Sequence, residues 1–452
     1  MTTTPAQPRG DAASCCEEYA AASRLGRRGF LTGMGLTGLS WTVGSAVVSV
    51  GAAAPAAAAE VTSIGDPVLV VLSMRGACDG LSLVVPHGDP AYYEARPRIG
   101  VAADRLLAKD AMFGLHPSLA PLLPLWEGGS LAAVQATGMA APNRSHFAAM
   151  EEVEDADPGS GERVGWLNRL LGELPGSSPL QGLSLGEMPT SLYGAEPTMG
   201  FESLDAAGVA GDDEWDPEDL RLKSLRTMWR RTNSPLQPHV QSAMSAATSL
   251  GPAKAEADHA DTYPGSDLGR ALSSVARTIR GDVGVSVVTV DQGNWDMHNG
   301  LGTLEWGDML NNADDLASSI AAFFADLGSH ADRVTLVTIS EFGRRVVENG
   351  NYGTDHGWGN VMFLAGAGVR GGRYYGSWPG LATDPDADLT VTTDYRSVLA
   401  EVVATRTSAS TAAVFPGFSP ESVGAMTSTS RSLSVTPVDK QEQKTRPRRT
   451  AR

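Results

Sequence analysis

Val68-Leu69-Val70-Val71-Leu72, followed shortly by Arg75-Gly76-Ala77-Cys78-Asp79-Gly80, is the stretch that decides how the chain is read. A short apolar run rich in β-branched residues that breaks into a glycine-bearing loop reads as a buried strand. Four more runs repeat the pattern: Leu131–Ala136, Val285–Val290, Val334–Ile339 and Val361–Ala365. Between them lie helical patterns over Ser118–Trp126, Leu268–Arg280 and Asp308–Leu327, with apolar residues three and four apart. Strands alternating with helices predict an α/β fold, a mostly parallel mixed sheet with helices on both faces. Ligands of such sheets gather beyond the carboxyl ends of the strands.

Chemistry is therefore expected in the loops at the strand ends. The first strand leads to Asp79-Gly80, and the second to Pro142-Asn143-Arg144-Ser145-His146-Phe147, with Ser145 at a helix start. The third leads to Trp295-Asp296-Met297-His298 and the fourth to Ser340-Glu341-Phe342-Gly343-Arg344, while Gly353-Thr354-Asp355-His356-Gly357-Trp358-Gly359 precedes the fifth. Carboxylate oxygen and imidazole nitrogen together suit a divalent ion: zinc, manganese or calcium, one or two of them. A hydroxyl at a helix N-terminus beside a metal can serve as a nucleophile, and the helix dipole favours a bound phosphate or sulfate there.

Each piece also has a plainer reading. Asp79-Gly80 makes a turn, Ser145 a simple helix cap, and Glu341 an ion pair with Arg344 or Arg345. Asp296 and His298, two apart, face one side of an extended strand end, or else only bond backbone in a turn. Asp355-His356 is the strongest piece, because Gly353, Gly357 and Gly359 allow close backbone approach. His116 reads as structural, and His330 as a surface residue.

The termini carry a different message. Ser23-Arg24-Leu25-Gly26-Arg27-Arg28-Gly29-Phe30-Leu31, a mildly apolar stretch and Ala57-Ala58-Ala59 have the order of a cleavable twin-arginine signal over residues 1–59. The expected route is the twin-arginine translocase, and the expected destination is outside the cytoplasm, with no membrane attachment after cleavage. Cys15 and Cys16 leave with the signal, so Cys78 has no intramolecular partner. The chain has 52 acidic against 35 basic side chains, a field that argues against nucleic-acid binding. The domain is expected over 60–418, with 176–264 as a helical insertion or cap and 419–452 as a disordered basic tail.

Gly33–Gly38 and Gly366–Gly371 match a dinucleotide-binding pattern, but the first lies in the signal and no helix is expected after the second. No P-loop is present.

The ordered set of motifs resembles the exported bacterial family known as domain of unknown function 1501. It comprises the leader, Arg75–Leu81, Arg144–Phe147, Trp295–His298, Ser340–Arg344, Thr354–Gly357 and Val369-Arg370-Gly371-Gly372. That family is similar in turn to the alkaline phosphatase-like superfamily of sulfatases and phosphomutases. The resemblance implies a metal site, typically of two ions, with Asp79 as a first-strand ligand and Ser145 at the position of the nucleophile. Asp296 and His298 replace an Asp-x-x-x-His pair, Glu341 falls where an Asp-His pair ends a strand, and His356 falls at the last metal-binding histidine.

The expected function is an exported metal-dependent hydrolase of phosphate or sulfate esters, acting on a small molecule or polymer. Asp79, Asp296, His298, Glu341, Asp355 and His356 are the expected metal ligands, Ser145 the nucleophile and His146 its proton-transfer partner. The rival is a non-catalytic extracytoplasmic binding protein on the same scaffold.

Overall fold

The computed structural model describes residues 66–208, 220–230 and 237–427, and the backbone alone of Gly38–Val43 and Ala46–Gly51. The expected leader, apart from those two backbone segments, and the tail beyond 427 lie outside the described residues. So does the acidic run at 211–216.

The sheet is built from β1 (Val68–Met74), β2 (Leu131–Gly138), β3 (Gly182–Leu185), β4 (Thr198–Phe201), β5 (Val287–Gln292), β6 (Val334–Ile339), β7 (Asn360–Gly366) and β8 (Arg373–Tyr375). Their spatial order is β4-β3-β5-β1-β6-β7-β2-β8, and the segments at 38–43 and 46–51 form an antiparallel hairpin alongside β4. Of these eight strands only β7 runs against its neighbours. The fold is thus α/β with a mixed, mostly parallel sheet.

Alternation along β1 explains the layers. Val68, Val70, Leu72 and Met74 enter one core and Leu69 and Val71 the other, all fully or nearly buried. The first core is closed by α3 (Asp267–Arg280) and α4 (Asp308–Leu327), through Leu272, Val275, Ile279, Leu316, Ile320 and Phe323. Ser266 starts α3 by accepting a hydrogen bond from the Gly269 amide at 3.0 Å. The second core is closed by α1 (His146–Asp155), α2 (Trp166–Glu173) and α5 (Tyr395–Arg406), through Ala149, Val153, Leu167, Leu170, Val398 and Val402.

Strand β7 is antiparallel because the chain between Ile339 and Asn360 contains no crossover helix. It turns back at the carboxyl edge, so Glu341, Arg344, Asp355 and His356 stay on the edge where the parallel strands end.

Two expected boundaries need correction. Residues 176–264 are more than a cap, since β3 and β4 lie within them and pair into the sheet; their apolar runs are only four residues long and carry little pattern. Helices Leu220–Trp229 and Gln237–Ser249 form the helical part of the segment. The folded domain also runs past 418. Met426 bridges to Val369, and Glu401 accepts hydrogen bonds from the Val423, Gly424 and Met426 amides at 2.7–2.8 Å.

Candidate metal centre

Three histidines meet at the carboxyl edge with their outer nitrogens already engaged. His146 Nδ1 lies 2.8 Å from Glu341 Oε1, His298 Nδ1 2.8 Å from Asp355 Oδ1, and His356 Nδ1 3.1 Å from the Arg144 carbonyl. A carboxylate or carbonyl can only accept, so each Nδ1 carries the hydrogen and the neutral ring keeps its lone pair on Nε2. Those lone pairs converge. His356 Nε2 is 3.0 Å from His146 Nε2 and 2.9 Å from His298 Nε2. Asp296 Oδ1 is 3.2, 3.3 and 3.7 Å from the Nε2 atoms of His298, His356 and His146.

Neutral nitrogens facing one another at such distances share no hydrogen bond, whereas a cation between them would satisfy all of them. A tetrahedral ion bonded at about 2.0–2.1 Å has ligand-to-ligand edges of about 3.3 Å, and the five contacts bracket that value. Backing of each imidazole by a carboxylate or carbonyl is also the arrangement that orients metal-binding histidines. The donor set fits a divalent ion held by His146, Asp296 and His356, whose ligand atoms lie within 4.8 Å of one another, with His298 beside them.

Burial alone would raise the Asp296 carboxyl, yet the three imidazoles and the charge of Arg344 hold it far below the usual range. Glu341 and Asp355 are likewise held down against burial by their histidine partners. Burial opposes charge on His146, but its bonds to Asp296 and Glu341 prevail and push it up to about 9, so a metal ion there would take the place of a proton on its Nε2. Burial lowers His356, helped by the charge of Arg344.

The scaffold that aims these groups is a set of strand-end loops locked together by Arg344. Its guanidinium is buried and donates to the carbonyls of Gly76, Ala77, Trp295 and Thr354, and to Asp296 Oδ1 at 2.6 Å. Gly76 adopts φ +109° and passes so close to the 295–296 backbone that a β-carbon would sit 2.6 Å from the Asp296 amide. At Gly353 a β-carbon would meet the His298 carbonyl at 2.1 Å. These contacts hold Asp296 and His298 against the loop that carries Asp355 and His356.

The expected site residues fall into distinct places. Asp296, His298 and His356 present their atoms to the common point. Glu341 and Asp355, read as ligands, instead stand behind His146 and His298; Glu341 pairs with neither Arg344 nor Arg345, taking the Gly76 amide at 2.9 Å besides His146. His146, read as a proton-transfer partner, is buried and points its Nε2 into the cluster. Asp79, read as a ligand, accepts both ends of the buried Arg96 guanidinium, with Nη2 at 2.9 Å from Oδ1, and takes the Ser82 hydroxyl at 2.6 Å. Ser145 stands at the head of α1, exposed, its hydroxyl making no capping bond. His116 is structural as expected; it caps a short helix through the Ser118 amide, and burial pulls its pKa down to about 4.

Sequence reasoning missed Arg344 and Arg96. Arg344 stands inside a recognisable motif, but its partners are backbone carbonyls from distant segments, and Arg96 carries no local signal at all. Because Glu341 only orients His146, Glu341→Gln should lower zinc affinity about 10- to 100-fold and leave the fold intact, as read by competition with a chelating dye.

Beside the cluster opens a cleft of about 440 Å³, lined by His298, Asp355 and His356 and by Arg144, Arg345 and Asp386. Asp388 pairs with both arginines, and the buried Arg144 Nε has no partner among the described residues.

The match to known families covers this whole region. Residues 66–415 fit the family described as "Protein of unknown function (DUF1501)". The chain belongs to this family. No curated protein sequence matches it significantly. Among solved structures it is similar to the C-terminal periplasmic domain of EcEptC from Escherichia coli, a complex with Zn, at 11% identity over 69% of this chain and 76% of that one, TM-score 0.32. It is similar to the phosphonate monoester hydrolase of Agrobacterium radiobacter at 10% identity over 75% and 73%, TM-score 0.30. PsFucS1 sulfatase from Pseudoalteromonas sp. aligns at 12% identity over 75% and 67%, TM-score 0.30. At these scores the likenesses carry no argument about activity, which rests on the DUF1501 chain's own residues. None of its described helices is long and apolar enough to cross a membrane.

Proposed function

We propose that this protein is an exported, metal-dependent hydrolase of phosphate or sulfate esters. The observation that carries the proposal is the convergence of three Nε2 lone pairs on Asp296 Oδ1, each ring oriented from behind by an acceptor. Three nitrogens and one carboxylate suit zinc and disfavour calcium, which takes oxygen ligands. A divalent ion there would supply Lewis acidity, easing deprotonation of a nucleophile and neutralising charge on the ester oxygens.

Ser145 is the nucleophile in this reading. Its neighbours on both sides touch the site, Arg144 through its carbonyl on His356 and His146 through its own ring. The positive end of α1 favours an oxyanion in front of the hydroxyl. Arg144 and Arg345, on the cleft wall, offer the charge that would hold a substrate's phosphate or sulfate group. The paired arginines of the leader support export.

The test is a panel of aryl phosphate and sulfate esters assayed with zinc or manganese. Turnover should vanish in Ser145→Ala while bound metal stays at the wild-type level. Turnover that survives the substitution would move the nucleophile from Ser145 to water. A second reading, a binding protein without catalysis, is favoured by one observation: His146 is engaged in the cluster and so not free as a base for Ser145. Silence across the panel from metal-loaded protein would support it.

A further inference from the structure

Two buried arginines, Arg344 and Arg96, stand at the same edge as the histidine cluster. We infer that the centre takes one divalent ion and not two, because these arginines supply, as fixed guanidinium charge, what a second ion would bring. The inference rests on the hydrolase reading and specifies its metal count.

Asp79 is the carboxylate that the family resemblance would give to a metal at this edge. It is 2% exposed, and both its oxygens are taken by Arg96 and Ser82. Arg96 cannot move aside, since its side chain is fully buried and its remaining donors reach the carbonyls of Val346 at 2.8 Å and Arg345 at 3.0 Å. All five guanidinium hydrogens therefore have acceptors, counting the contact to Ser82 Oγ at 3.1 Å.

Arg344 does the same beside the histidines. Its Nη2 touches the very oxygen, Asp296 Oδ1, on which the three rings converge, and four carbonyls hold the rest of the group in place. A second divalent ion sharing Asp296 would sit against a buried cation that cannot withdraw, and in a poorly screened site that repulsion is strong. Asp79 and Arg96 cancel each other.

The deciding experiment is metal stoichiometry, with no assay of activity. The purified protein is loaded with zinc, freed of excess, and measured by elemental analysis and native mass spectrometry. One zinc per chain is expected in the wild type and in Asp79→Asn, and none in His356→Ala. Two zincs per chain in the wild type would overturn the inference and leave the hydrolase reading standing; none would overturn that reading and the inference with it. Loss of the ion in Asp79→Asn, with an unchanged circular dichroism spectrum, would make Asp79 a ligand and also overturn it. Should Asp79→Asn fail to fold, the pair Asp79→Leu with Arg96→Met removes both charges together, and its ion count decides in the same way.

Discussion

His356→Ala should abolish stoichiometric zinc binding, with an affinity loss of roughly a hundredfold or more, because His356 is the hub of the cluster. Its Nε2 lies within 3.3 Å of His146, His298 and Asp296, and its Nδ1 ties the loop before β7 to the Arg144 carbonyl beside Ser145. Removing an outer partner of a metal-binding histidine already costs about 10- to 100-fold in affinity, and removing the ligand itself costs more. The fold should survive, since the ring is part-exposed. Isothermal titration with zinc reads the result, and wild-type affinity in the variant would remove His356 from the centre and the centre from the protein.

The second large effect is on stability. Arg344→Met should lower it by about 3–5 kcal/mol, the usual range for taking one partner from a buried ion pair. The variant strips donors from the Gly76, Ala77, Trp295 and Thr354 carbonyls and leaves Asp296 beside buried apolar surface. For a domain of this size that corresponds to a fall in Tm of roughly 4–7 °C. Zinc should recover part of the loss, because an ion that binds only the folded state stabilises it and would also neutralise Asp296. A melting temperature within about 2 °C of wild type, on the scale of about 1 kcal/mol, would show that Arg344 is not the clasp of the strand-end loops.

Much of the architecture was legible from apolar patterning. The runs at Val334–Ile339 and Asp308–Leu327 coincide with β6 and α4, and those at Val68 and Leu131 fall short only at their polar ends. Such segments are buried on both faces or along one broad stripe, so burial writes itself into the sequence. The short strands β3 and β4 were not legible, because four residues carry too little pattern to separate a strand from a loop.

The site divides in the same way. Strand ends rich in Asp, Glu and His marked the edge and supplied every residue of the cluster, as in Trp295-Asp296-Met297-His298, where two-residue spacing brings both side chains to one point. Roles within that set were not legible. Glu341 and Asp355 had the chemistry of ligands, and only the fold put an imidazole in front of each. Asp79 had the same chemistry, and only the fold put Arg96 upon it.

Local sequence by itself determined five of the strands and the long helices α3 and α4, which loops bear carboxylates and imidazoles, and where a hydroxyl heads a helix. These depend on neighbours along the chain: period, capping and turn chemistry. Tertiary structure alone decided which nitrogens converge, which carboxylates stand behind them, and which arginines close the remaining charges. Those outcomes depend on contacts between residues up to 268 positions apart, as between Arg344 and Gly76. Hydrogen-bond partners and desolvation, which set a side chain's protonation and free lone pairs, exist only once the loops have met.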